Sequence, residues 1–141
     1  MASVKPRDTL EQRLKDKDYK NWLKAGMCLI RVKEVLETFV DAESNLLHKD
    51  ILNRCKPCRN CTNIKTNCSK CSSFKSQIEN IHKFKRPNWG NTNVQEWQTD
   101  HWSVAKCFMN PGQSGNTKAS ETDISGLLNF IIHYNNFQDP K

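Results

Sequence analysis

Cys55-Lys-Pro-Cys58-Arg-Asn-Cys61-Thr-Asn-Ile-Lys-Thr-Asn-Cys68-Ser-Lys-Cys71 places five cysteines within seventeen positions. Thiolates two residues apart turn back onto one ion through a tight knuckle. A short loop then returns a second pair, which is the arrangement tetrahedral Zn²⁺ demands of four sulfurs. The stretch has no apolar periodicity and is dominated by Asn, Ser, Thr, Lys and Cys. It cannot form a core of its own, so an ion is its natural organiser. Spacing alone favours Cys55, Cys58, Cys68 and Cys71, with Cys61 spare, while a set that uses Cys61 with Cys68 and Cys71 fits as well.

Outward from this run, helical periodicity takes over. Upstream, Asp8 and Glu11 suit a short first helix as N-cap and return partner, and Asp16 or Asp18 can cap a longer one. Trp22, Ala25, Leu29, Val32, Leu36, Phe39 and Val40 recur at three- and four-residue steps, with Cys28 and Val35 on a neighbouring stripe. This predicts a broad inward face on a helix over 19–41, with helical character continuing to residue 53. Gly26 within it suggests close approach of another element. Downstream, Ser69 or Ser72 can cap a helix that turns Phe74, Ile78, Ile81 and Phe84 inward. Cys71 falls near its positive end, where a thiolate is stabilised.

Pro87 to Asn91 makes a turn. Thr99 or Asp100 caps a helix carrying Trp102, Val104, Ala105, Phe108 and Met109, and Asn110-Pro-Gly112 ends it. Ser120 or Thr122 opens a last helix that buries Ile124, Leu127, Leu128, Ile131 and Ile132. No alternating strand pattern, internal repeat or coiled-coil heptad competes. The expected fold class is all-α: a single helical domain over 1–141 with a cysteine-rich zinc-binding insertion at 54–72.

The chain has 141 residues and a net charge of +7. Its mean hydropathy is −0.78, a thin apolar supply that a metal staple would supplement. The charge is uneven. Residues 49–86 hold ten Lys and Arg against two Asp and Glu, whereas the flanking thirds nearly balance. Basic loops beside a zinc site favour polyanions, so Arg54, Lys56, Arg59, Lys65, Lys70, Lys83, Lys85 and Arg86 are the candidate nucleic-acid-binding residues. Trp89 can stack a base, whereas Trp97 and Trp102 are read as core. The start of the chain lacks a secretory apolar stretch, and an odd cysteine count cannot pair completely. A cytoplasmic or nuclear location is expected, without membrane spans.

Catalysis is not expected. Surplus sulfur suits a closed structural site, and no Asp or Glu lies between Arg54 and Gln77 to serve as a base. His48 precedes Lys49-Asp50, so the deaminase pattern is missing. Cys107 with His101 has no orienting third group. His82, roughly 16 Å of helix from Cys71, is too far to share an ion. His48 stays a reserve ligand, and Cys28 and Cys107 are read as packed.

Four segments together resemble a known family. They are Tyr19-Lys-Asn-Trp-Leu-Lys-Ala-Gly-Met-Cys-Leu29, the cysteine run, Trp89-Gly-Asn91 and Trp102-Ser-Val-Ala-Lys-Cys-Phe-Met109. They resemble the N-terminal part of the animal chromosome X open reading frame 38 proteins, over most of residues 19–137. The family's pattern, Cys-x5-Cys and later Cys-x2-Cys, implies Cys55, Cys61, Cys68 and Cys71 as ligands, with Cys58 as an extra. Family members continue into a second helical region resembling HEPN domains, some of which cleave RNA through an Arg-x4–6-His pair. No such pair sits on a helix here, so the resemblance implies an RNA-linked or immune setting without a nuclease in this chain. The expected function is a non-catalytic, zinc-stabilised helical binding module for RNA or a protein partner. The alternative is an N-terminal adaptor that packs on a HEPN-like domain.

Overall fold

The computed structural model describes Thr9, Gln12, residues 15–58, Cys61 and residues 68–134. Among these residues the protein is all-α, with four helices and no strands. The helices are α1, Lys17–Arg54; α2, Ser69–Ile81; α3, His101–Ala105; and α4, Ile124–His133. Short 3₁₀ turns fill the connections at Trp89–Asn91, Val94–Glu96, Lys106–Phe108 and Ala119–Glu121. The chain divides between Glu34 and Val35 into two compact units.

In the first unit, Asp8 and Glu11 lie outside the described residues. Thr9 and Gln12 make the reciprocal exchange instead: Thr9 N–H donates to Gln12 Oε1 (3.0 Å) and Gln12 N–H to Thr9 Oγ1 (3.2 Å). Asp16 caps α1 as expected, with Oδ1 accepting from the backbone N–H of Asp18 (2.8 Å) and of Tyr19 (3.3 Å). The expected inward face is not buried here. Trp22, Leu29 and Val32 are exposed, as are Met27, Ile30 and Cys28. A Cβ built on Gly26 meets nothing within 4 Å, so the close approach expected there is not made among the described residues.

In the second unit, α1 turns a different face inward. Val40, Ser44, Leu47, His48 and Ile51 are buried at three- and four-residue steps, while Val35, Phe39 and Leu46 are exposed. Helix α2 answers with Cys71, Phe74 and Ile78. Phe74 stacks on Trp97 at 5.1 Å between ring centroids, a contact worth about 1 kcal/mol beyond the area it buries. Trp97 and Trp102 are core, as the sequence predicts. His48 Nε2 holds the Trp97 carbonyl at 2.6 Å, which ties α1 to the turn and leaves this nitrogen unavailable to an ion.

The two later helices are shorter than their apolar patterns suggest. Asp100 caps α3 through Trp102 N–H, and the chain tightens into a 3₁₀ turn after Ala105. Trp102, Val104, Ala105, Phe108 and Met109 are nevertheless all buried. Asp123, rather than Ser120 or Thr122, caps α4 by accepting from Gly126 N–H at 2.8 Å. Its inner side is Gly126, Leu127 and Phe130, while Leu128 and Ile132 face solvent. Helix α4 ends beside the end of α2: Lys83 N–H donates to His133 O at 2.8 Å. Phe84, expected inward, is 55% exposed because His82 ends α2 in an extended conformation.

Candidate metal centre

Cysteine positions follow from where the flanking helices stop. Helix α1 runs to Arg54, and Cys55 N–H still bonds Ile51 O at 2.9 Å in helical i→i−4 fashion. Cys55 is therefore fixed to the helix end and packs beside the core. The chain is released only at Lys56 and Pro57, so the first knuckle opens at Cys58. Helix α2 begins with Cys68 in the N-cap position and Cys71 in its first turn, where the sequence suggests a serine cap. Neither Ser69 nor Ser72 caps it.

The result is one cluster. The sulfurs of Cys58, Cys61, Cys68 and Cys71 all lie within 4.8 Å of one another. Cys58 Sγ is 3.0 Å from Cys61 Sγ and 3.5 Å from Cys71 Sγ. A tetrahedral Zn²⁺ with sulfurs at about 2.3 Å spaces them roughly 3.8 Å apart, so the observed distances bracket that geometry. The set expected from the family pattern differs at one position. Cys61, Cys68 and Cys71 are gathered, but Cys58 stands where Cys55 was expected, because Cys55 belongs to the last turn of α1. The pairing was present in the sequence as two identical Cys-x2-Cys units six residues apart. The earlier Cys55–Cys58 interval obscured it.

The donor chemistry fits a soft divalent cation. Burial pushes the Cys71 thiol up to about 12, and its hydrogen bonds with Cys58 and Cys61 hold the proton further. Four adjoining thiols lose their protons together only when a cation compensates, and zinc would supply that charge. Cys68 and Cys71 also sit at the N-terminus of α2, the end of a helix that favours negative charge. Four sulfurs would fill the tetrahedral shell of such an ion. Cys107 is a different kind of thiol. It is fully buried, its pKa is also pushed up to about 12 by burial, and it lies outside the cluster.

The basic residues fall at the two ends of α2. At the cysteine end, Lys56 and Lys70 line one cavity of about 660 Å³ with Cys55, Cys58, Ser69 and Gln98. Arg54 stands nearby, its charge held by Asp50 at 3.0 Å and its NH1 by Gln77 at 3.4 Å. Lys83, Lys85 and Arg86 follow the other end, and all three are exposed. Arg59 and Lys65 lie outside the described residues. Trp89 is half-buried, 6.3 Å from Trp97, with Lys75 Nζ 5.2 Å above its ring.

A family model described as "Domain of unknown function (DUF4559)" matches residues 13–140. The chain belongs to this family. It is also 30% identical over 145 residues to the mouse protein named "Uncharacterized protein CXorf38 homolog". That match takes in 91% of this chain and 45% of the mouse protein, so the chain spans less than half of that relative's length. The likeness noted in the sequence is borne out. No solved structure matches the chain. No helix among the described residues is long and apolar enough to cross a membrane.

Proposed function

We propose that this chain is a zinc-stabilised helical binding module without catalysis that takes single-stranded RNA along α2, in the cytosol or nucleus. The observation that carries this reading is the lining of the cavities at the two ends of α2. Among the described residues, one is lined by Lys56 and Lys70 and the other by Arg86, and neither is lined by a carboxylate. The helix between them is 13 residues long, about 20 Å. Zinc on Cys58, Cys61, Cys68 and Cys71 would hold one basic group against the helix start, and the stacked end of α2 holds the other. A closed sulfur shell supports a structural rather than catalytic ion. Reduced thiols support an intracellular location.

Salt dependence tests this. Fluorescence anisotropy with a single-stranded oligoribonucleotide should give log K falling against log[salt] with a slope of about −0.7 for each phosphate contacted. Five contacts, from Lys56, Lys70, Lys83, Lys85 and Arg86, give a slope near −3.5. Replacing Lys56 and Lys70 by Ala should reduce it by roughly 1.4. A flat response, or no binding at low salt, removes the RNA reading.

A second reading, an adaptor packing on the remainder of longer relatives, draws on a separate observation. Trp22, Met27, Leu29 and Ile30 of the first unit are each more than half exposed. Apolar exposure of that kind marks a contact surface. Sedimentation showing self-association of the isolated chain, together with salt-insensitive RNA behaviour, would favour this adaptor.

A further inference from the structure

The loop after α2 is wound around one imidazole. His82 is buried at the helix end, and its Nδ1 accepts from the backbone N–H of Phe84 (3.2 Å) and of Arg86 (3.3 Å). Lys85, between them, sits at φ +58°, a left-handed conformation that a lysine adopts only under constraint. Its Nζ donates to the Asn80 carbonyl, which holds that conformation. The His82 ring stacks with two neighbours, Phe108 at 5.6 Å and His133 at 4.9 Å between ring centroids. Phe84 closes the corner, edge-on to His133 at 5.7 Å and 70°.

His82, Phe84 and His133 border a cavity of about 460 Å³, the size of a small-ligand site. Asn88, Asn110 and Asn129 line it with Arg86. Arg86 makes no ion pair among the described residues. His133 Nδ1 lies 2.8 Å from Asn129 O and 3.2 Å from Phe108 O, so this nitrogen is a donor and anchors the ring at the cavity wall. The cavity thus offers an aromatic corner for a flat ring, a lining of three uncharged asparagines, and a guanidinium for an anion.

We infer that this cavity is a mononucleotide site: it takes one nucleoside monophosphate unit, the base in the Phe84–His133 corner and the phosphate on Arg86. The inference deepens the RNA reading above and rests on it for its source, since the same unit could arrive as a free nucleotide or as one unstacked residue of a single strand. A strained loop clamped at two backbone N–H groups is pre-organised, which favours a specific ligand over a diffuse charge contact.

The test uses the zinc-loaded full chain. Binding of AMP, UMP and inorganic phosphate is measured by NMR shift perturbation of the His82, Phe84 and His133 rings. Binding of an oligoribonucleotide is measured by anisotropy in parallel. Expected are ring shifts with at least one mononucleotide and none with phosphate alone. Phe84→Ala and Arg86→Ala should each weaken both ligands about tenfold. Both side chains are exposed, and unchanged zinc content and near-UV dichroism would confirm the fold. Asn129→Asp, which sets a carboxylate into the cavity, should abolish the ring shifts. Oligoribonucleotide binding indifferent to all three variants, without mononucleotide shifts, overturns the site while the RNA reading stands. Mononucleotide shifts without oligoribonucleotide binding keep the site as one for free nucleotides and overturn the RNA reading. Equal shifts with phosphate overturn the base corner.

Discussion

Two parts of this chain are held in unlike ways. Between the end of α1 and the first turn of α2, the described cysteines Cys58, Cys61, Cys68 and Cys71 converge sulfur to sulfur. Residues 86–123 converge on neutral side chains. In the latter, Asn91 is buried, and its Nδ2 donates to Lys106 O (3.0 Å) and Asn110 O (2.9 Å) while its Oδ1 accepts from Gln113 N–H (3.1 Å). Thr92 Oγ1 donates to Ser103 O at 2.7 Å and accepts from Trp97 Nε1 at 2.8 Å. Ser103 Oγ in turn bridges both backbone groups of Asn93. Irregular backbone survives burial only when its polar groups are matched. The amide network does this with groups that never titrate. The sulfur cluster could hold a metal ion, and held that way it would depend on pH, redox state and metal supply.

Metal withdrawal should break the comparison most visibly. Chelation of the zinc-loaded chain should lower the unfolding midpoint by more than 10 °C, since an ion that organises its site contributes several kcal/mol of folding free energy. Cys58→Ser and Cys71→Ser should reproduce the chelated behaviour, with ion content by native mass spectrometry falling from one per chain. Cys55→Ser should keep the ion and cost less than about 1 kcal/mol, because Cys55 serves the end of α1. Retention by Cys58→Ser with loss by Cys55→Ser would restore the family-pattern set and sink the knuckle geometry. The amide network should respond oppositely. Asn91→Ala takes a partner from Asn110 O, Gln113 N–H and Lys106 O, of which Lys106 O keeps Met109 N–H, at about 3 kcal/mol. That loss should be the same with and without chelator, with a coupling under roughly 0.5 kcal/mol. A large coupling would mean that the two stretches fold as one unit.

The helices were legible in the sequence to the extent that their apolar residues had one possible inside. Phe74, Ile78, Trp97, Trp102 and Phe108 were expected in the core and are there. Helix α1 shows the limit. It is apolar on more than one face, and period alone cannot say which face meets protein. Val40 was expected inside and is buried, but its continuation through Leu47 and Ile51 was hidden beside the stripe through Val32, Val35 and Phe39, which is exposed at each of these three. Caps were legible where Asp stood at the boundary, as at Asp16 and Asp100, and were misread where Ser or Thr neighbours competed with Asp123. At the metal centre, the sequence announced four sulfurs from five. Choosing among them required knowing that α1 continues through Arg54. The amide network left no pattern at all, since Asn91, Ser103 and Gln113 act across sequence distances of ten residues and more.

The smallest expected effect separates the stretches by pH. Burial, and then the nearby charges of His133 and Lys85, lower the His82 pKa from 6.5 to about 4, and burial lowers that of His48 as well. The His82 ring is neutral in the folded chain at pH 6, whereas the unfolded chain largely protonates it there. The unfolded state then binds more protons, so the stability this ring contributes is complete above pH 6.5 and is lost as pH falls toward 4. For His82 the loss is on the order of 2 kcal/mol. Acid also protonates thiolates and expels zinc, which would mask this in the loaded protein. The metal-free Cys58→Ser variant removes that competitor. Its denaturant midpoint should still fall between pH 6.5 and 4.5, and His82→Asn, whose Oδ1 can accept from the same loop, should flatten the slope. The His82 ring resonance should stay unprotonated to near pH 4. A ring that titrates near 6.5 would show that the loop does not shelter it, and that the end of α2 is as dependent on conditions as the cysteine end.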